Sequence, residues 1–315
     1  MEKPAVINDR RRRRFLGVYL KNNWQLYLML MVPVVFVIIF KYAAYPGLRI
    51  AFMDYKPAKG YAGSKWVGLE TFEKIFRDKD FSRALKNSLV FNFLDLLVGF
   101  PVPIILALLL NELRFTRYKK VSQTILYLPH FLSWVIIASV ALNLFKPETG
   151  LINILLKNAG MIEKGIPFLT EKWHWAVTYL LIGVWQNMGW GSIIYLAAIT
   201  GIDGQLYEAA TIDGAGRFRR LWHVSLPGIL PTITILLIMQ VGGIMAVGSE
   251  KILLLYSPSV YEKADVISTY IYRRGLSDGK YGLTSAVGLF ESVINMALLL
   301  AADRFSKLVG QRGLF

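Results

Sequence analysis

Six long apolar runs constrain this chain more than any other feature of it. Crossing a hydrocarbon core roughly 30 Å thick takes about 20 apolar residues of helix, at about 1.5 Å rise each. The stretches at about 24–40, 88–110, 125–144, 175–199, 229–247 and 283–302 meet that test. The first is the shortest, yet it contains no charged residue. With 55% of its 315 residues hydrophobic, the chain is too apolar for an ordinary soluble domain. The expected fold class is an all-α polytopic membrane protein with six transmembrane helices.

Basic residues orient the spans. Arg10 to Arg14 and Lys21 directly precede the first span, which favours a cytoplasmic N-terminus. Six spans then return the C-terminus to the same side. The short second–third connection carries Arg114, Arg117, Lys119 and Lys120. The connection before the fifth span carries Arg217, Arg219 and Arg220, and Arg304, Lys307 and Arg312 follow the last span. All fall on the expected inner side.

The net charge of +15 therefore belongs largely to topology. No basic stripe interleaves with stacking aromatics, so nucleic acid is not an expected partner. The Arg10–Arg14 run reads as an anchor near anionic lipid headgroups. Lacking cysteine, the chain has no disulfide, thiolate metal site or thiol nucleophile. His130, His174 and His223 are scattered, and no zinc-protease pattern or carboxylate pair accompanies them, so no metal site is expected. There is no G-x-x-x-x-G-K-[ST] phosphate loop; the Gly279-Lys280 pair is followed by Tyr281. The chain is expected to be no enzyme and to hold no cofactor.

Its organisation is one block: a basic tail over 1–23, then a single permease-like domain over 24–315. Within the outer connection 41–86, Gly60-Tyr61-Ala62-Gly63-Ser64 marks a turn region, and 69–76 has helical apolar spacing suited to the membrane surface. Short helices and turns are expected over 146–172, and a helix around 266–275. No 20–50-residue repeat and no inverted pair of interrupted spans is visible.

Between the fourth and fifth spans lies a polar insert, 203–227, containing Glu208-Ala209-Ala210-Thr211-Ile212-Asp213-Gly214-Ala215-Gly216 and closing at Leu226-Pro227. A helix over about 205–213 should end at Gly214, where left-handed geometry costs little. A second piece should begin near Gly216 and stop before Pro227. Leu206, Tyr207, Ala210, Leu221 and Trp222 can supply an apolar knob, with Glu208 and Arg217 to Arg220 as a charged rim.

This insert resembles the EAA motif of permease subunits in binding-protein-dependent ABC importers. The pattern is matched by Glu208, Ala209, Ala210, Gly214, Leu226 and Pro227, with Asp213 and Ala215 completing the Asp-Gly-Ala extension. Val224 stands where the family has Ile. The run Gln123 to Trp134, the stretch Asp265 to Tyr270 and Ala286 to Phe290 are similar to the subgroup that carries complex-polysaccharide fragments. The resemblance implies a type I ABC importer permease fold in a bacterial cytoplasmic (inner) membrane. It implies a coupling helix at the insert that docks into an ATPase subunit. It also implies four kinds of partner: a second, homologous permease, two ATP-binding subunits, an extracytoplasmic solute-binding protein and an oligosaccharide cargo. Fragments of acidic polysaccharides, alginate- or pectin-type, are the implied substrate class.

Charged groups inside spans are costly and usually face a protein interior or a water-filled cavity. Asp95 and Glu291 are the two clear cases. Asn187, Trp190 and Tyr195 in the fourth span, with Gln240, Ser249 and Glu250 in or just after the fifth, suit sugar through amide hydrogen bonds and aromatic stacking. Trp and Tyr near span ends also serve the interfacial belt. The family's sugar site lies on the spans flanking the EAA loop, which favours Asn187, Trp190 and Ser249. Acidic residues near that site do not themselves favour an anion. An ion-driven secondary transporter and a non-transporting membrane scaffold are the alternative functions.

Overall fold

The computed structural model describes residues 22–113, 115–310, 313 and 314. The basic tail with Arg10 to Arg14 and Lys21 lies outside the described residues, as do Arg114 and Arg312. The chain divides into two compact units, Met1–Ile50 and Ala51–Phe315. In the first, α1 (Trp24–Val37) buries none of its residues, and Pro33 sits inside it. A helix apolar all round with no protein cover is suited to lipid.

The second unit opens with a short hairpin, β1 (Met53–Asp54) antiparallel to β2 (Lys65–Trp66), with Met53 opposite Trp66. Helix α2 (Glu70–Arg77) follows and buries Thr71 and Ile75, in line with the helical spacing of that stretch. Then come α3 (Lys79–Leu94), a π-turn over Asp95–Gly99 and α4 (Pro101–Asn111). Pro101 lacks the N–H that a continuing α-helix would offer to Leu97, and its ring crowds that carbonyl. The widened π-turn accommodates this, with Phe100 N–H bonding the Asp95 carbonyl at 2.8 Å.

The third span is not the single rod expected over 125–144. Helix α5 (Thr116–Tyr127) passes through a 3-10 turn containing Pro129, and α6 (Trp134–Leu144) leaves at 98° to it. Leu132 is extended at the break, and Ser133 caps α6 by accepting from Ile136 N–H at 3.4 Å. Helix α7 (Leu151–Asn158) lies in the following connection.

Helix α8 (Lys172–Thr200) is 29 residues, about 43 Å at 1.5 Å per residue. It buries ten residues, Thr178, Gln186 and Ser192 among them. Its burial explains why it is less apolar than the other spans: its neighbours are protein rather than lipid. A Cβ on its Gly189 would stand 2.0 Å from the Leu126 carbonyl, so glycine lets α5 and α8 approach backbone to backbone. Helices α9 (Gly204–Ile212) and α10 (Arg217–Arg220) form the insert. A π-turn over Leu221–Ser225 leads to α11 (Leu226–Gly228) and, after a 59° bend at Ile229, to α12 (Leu230–Gly242). The second piece therefore does not stop before Pro227. Proline sits in the first turn of α11, where its missing N–H is harmless.

Beyond α12 the chain forms α13 (Ser249–Leu255), α14 (Tyr261–Ala264), α15 (Ile267–Ile271), a π-turn over Tyr272–Ser277 and α16 (Tyr281–Leu308). Among the described residues three helical stretches, Trp24–Phe52, Lys79–Asn111 and Tyr281–Leu308, are long and apolar enough to cross a membrane. The two bent pairs bring the number to five. Helix α8, long enough but more polar, is the remaining candidate.

Three buried clusters hold the second unit. One gathers Phe91, Trp175, Tyr179, Ile252 and Leu255; a second Phe81, Met245, Tyr270 and Val287; a third Ile104, Leu108, Tyr195, Ile199 and Ile229. Trp175 is fully buried and its indole N–H donates to the Leu255 carbonyl at 2.9 Å. A charged knot ties the last connection to α3. Asp265, with no exposed surface, accepts from Arg83 at 3.0 Å, from Arg273 through both terminal nitrogens at 2.9 Å, and from Thr269 at 2.9 Å. Asn87 donates to the Asp265 carbonyl at 2.8 Å, and Ser88 Oγ accepts from Ile267 N–H at 2.9 Å.

Candidate functional site

A cavity of about 770 Å³ opens among α3, α4, α8, α12 and α13. That volume falls in the range of about 300–1,000 Å³ usual for small-ligand sites. Five of the eight residues expected to line a pathway meet there: Asp95, Asn187, Tyr195, Gln240 and Glu250. The π-turn presents Asp95, whose carboxylate folds over Gly99; a Cβ at Gly99 would stand 2.2 Å from Asp95 Oδ1. Gln240 Nε2 donates to Asp95 Oδ2 at 3.0 Å, linking α12 to the π-turn across 145 residues of sequence. Phe91 and Tyr179 reach the cavity from one buried cluster and Tyr195 from another, so the space lies between two packed regions.

The other three expected residues lie elsewhere. Trp190 stacks on His130 with ring centroids 4.7 Å apart and planes within 3°, beside Phe131 at the break of the third span. Ser249 starts α13 between cavity-lining Gly248 and Glu250 but does not itself line the space. Glu291 is half-buried on α16, away from the cavity.

Of the three charged residues that line the cavity, one escaped sequence reasoning. Lys251, on α13, places Nζ 3.7 Å from the Tyr179 ring centroid and 5.3 Å from that of Trp134. It follows the fifth apolar run in a stretch that reads as outer connection, so nothing local marks it. The available signal was Asp95: a carboxylate within a span calls for a cationic or hydrogen-bonding neighbour.

The insert forms a bent loop with its own bracing. Asp203 caps α9 by accepting from Gln205 N–H at 3.0 Å. At its end Gly214 has φ +74°, Ala215 N–H bonds the Ala210 carbonyl at 2.8 Å and Gly214 N–H bonds the Thr211 carbonyl at 3.0 Å. That pair of bonds is a Schellman motif, which needs the left-handed residue that glycine supplies. The two arms are joined by Tyr207 Oη to Ser225 Oγ at 2.9 Å and by Arg220 donating to Thr211 Oγ1 at 3.1 Å. Leu226 packs against the third buried cluster, so the second arm is anchored in the core. Glu208, Ala209, Asp213 and Pro227 are exposed, and Ala210 and Ala215 half-buried. The exposed apolar side chains are Leu206, Ile212 at 86%, Phe218 at 73% and Trp222. Ile212 and Phe218 join the expected knob, whereas Tyr207 and Leu221 turn partly inward. A hydrogen-bonded loop that leaves such side chains exposed offers a surface that another protein can cover.

Residues 86–312 match the family described as binding-protein-dependent transport system inner membrane component. The chain belongs to that family. It is 43% identical to the polygalacturonan/rhamnogalacturonan transport system permease protein YteP of Bacillus subtilis (strain 168), over 99% of this chain and 96% of that protein. Protein LplB of the same organism is 42% identical over 94% of this chain and 92% of its own length. Among solved structures, a bacterial ABC transporter involved in import of the acidic polysaccharide alginate superposes with TM-score 0.85 at 40% identity, covering 94% of this chain and 99% of that one. A second structure, the bacterial alginate ABC transporter in complex with alginate pentasaccharide-bound periplasmic protein, matches equally well, with TM-score 0.85 and 40% identity over 95% and 99%. The fold is that of a type I ABC importer permease, and the chain is a membrane-spanning transporter component.

Proposed function

We propose that this permease carries fragments of acidic polysaccharides, of pectin or alginate type, through the 770 Å³ cavity. The relatives named for polygalacturonan, rhamnogalacturonan and alginate support that substrate class. The observation that carries the pathway is the meeting of Asp95, Asn187, Tyr195, Gln240 and Glu250 around one space, three of them on the helices that flank the bent loop. Amides there bond hydroxyls, and aromatic faces pack on the C–H surfaces of sugar rings.

The chain pairs with a second permease and receives cargo from a solute-binding protein. Two ATP-binding subunits supply the hydrolysis. One of them grips the bent loop, with Leu206, Ile212, Phe218 and Trp222 seated in its groove and Glu208 at the rim. The Schellman bend at Gly214 and the core-anchored Leu226-Pro227 arm make the loop stiff enough to transmit force into α12. Both termini face the cytoplasm, as does the loop. ATP hydrolysis lies outside this chain.

Co-purification of the ATPase subunit with the permease pair tests this. Gly214→Val and Glu208→Arg each deplete the ATPase from the complex while both permeases stay inserted. Undiminished ATPase in both variants would overturn the coupling role.

A further inference from the structure

Lys251 is the one cationic side chain among the residues lining the cavity, and the transport reading above assigns it no role. Its ammonium rests over the Tyr179 face and against Gly183, where an added Cβ would stand 2.1 Å from Nζ. Among the described residues no carboxylate lies within ion-pair distance of it; Asp95 acts on it only through space, while its own Oδ2 is engaged by Gln240. An aromatic face attracts an ammonium but occupies none of its three N–H donors as a strong acceptor would. A cation kept half-buried in a space between spans, with donors unspent, is costly unless a ligand uses it.

We propose that Lys251 is the carboxylate-recognising group of the pathway, selecting uronate rings over neutral ones. Asp95 has one oxygen engaged by Gln240 and makes no hydrogen bond to Lys251 among the described residues, which leaves the ammonium's N–H donors open to the cargo. The sugar ring lies beside Trp134, which lines the cavity, and its carboxylate meets Nζ, held in place over the Tyr179 face. This resolves the mismatch between an anionic cargo and the acids Asp95 and Glu250 in the same cavity. The assignment rests on the reading that oligosaccharides cross this cavity.

The test uses the full complex of two permeases, two ATPase subunits and binding protein in proteoliposomes. It measures ATP-dependent uptake of a short galacturonate oligomer and of its methyl-esterified, uncharged counterpart. Lys251→Met keeps the stem and Lys251→Gln a polar end, so one variant stands in if the other fails to assemble. The same binding protein delivers both sugars, so its own preference cancels in the ratio of variant to wild type. The expected result is a tenfold or greater loss of charged-oligomer uptake with less than a twofold change for the ester. The double variant Asp95→Asn with Lys251→Gln stays equally unselective. Equal loss of both sugars, no loss of either, or recovery in the double variant would overturn the assignment and mark Lys251 as a structural counterion of Asp95. If the wild-type complex moves neither sugar, the oligosaccharide reading itself fails and takes this assignment with it.

Discussion

Gly214 sits at φ +74° with open space where a Cβ would stand, so a side chain there is opposed by backbone strain and not by collision. Left-handed geometry costs an ordinary L-residue about 1–2 kcal/mol, and Asn tolerates it best. Gly214→Asn should therefore retain at least half of the wild-type ATPase co-purification where Gly214→Val loses it. Asp265 is the opposite case, a fully buried anion among cationic partners. Neutralising it removes the ion-pair partner of Arg273 and leaves Arg83 with Asp80 alone, and removing one member of a buried pair costs about 3 kcal/mol or more. Asp265→Asn should lower the thermal midpoint of the detergent-solubilised permease pair, whereas Lys74→Gln on the exposed face of α2 should leave it unchanged. Asp78, at the N-cap of α3, gives a pH signature. Burial pushes its carboxyl up, but hydrogen bonds from Tyr270 and from the backbone N–H of Asp80, with Arg274 nearby, bring it below its ordinary 3.8. A depressed carboxylate contributes stability above its unfolded value and loses it as pH falls through the folded value. Stability of the pair should thus drop on acidification below about pH 4, and Asp78→Asn should flatten that drop.

Helices were legible in the sequence wherever periodicity and punctuation agreed. The coupling loop is the clearest instance: with Gly214 as its stop, α9 lies within a residue of the bounds expected. Straightness was not legible. Pro129 sits within an apolar run long enough to be a rod and Ile229 opens another, yet the chain bends by 98° and 59° there. Local bonds such as Leu132 N–H to the Pro129 carbonyl and Ile229 N–H to the Ser225 carbonyl serve the backbone at the breaks. The low apolarity of α8 comes from its surroundings, since packing against protein admits Gln186 and Ser192 where lipid would not. Five residues of the cavity were legible because polar residues inside spans announce themselves. Lys251 was not, because only the fold carries α13 back to Asp95. The close approach of α5 to α8 makes an element-scale prediction. Gly189→Ala forces the Leu126 carbonyl outward, and overpacking of this kind costs about 1–3 kcal/mol. Its thermal midpoint should fall, while Gly204→Ala, with nothing near its Cβ, should be neutral or stabilising.

For the whole molecule, topology decides which end meets which partner. The chain contains no cysteine, so single cysteines report sidedness on a clean background. Met161 and Ile212 are both strongly exposed, the first in the connection after α7 and the second on the bent loop. In intact cells an impermeant maleimide should label Met161→Cys, and label Ile212→Cys only after permeabilisation; the reverse pattern would invert the assigned orientation. With that orientation, a cytoplasmic loop braced at Gly214 and anchored through Leu226 links an external motor to a cavity between packed clusters. Uptake of a galacturonate oligomer by vesicles holding this chain and its sister permease, with and without the ATPase subunits, measures that link directly. The account predicts uptake only in the complete complex on ATP, reduced at least tenfold by Gly214→Val; uptake by the permease pair alone would contradict it.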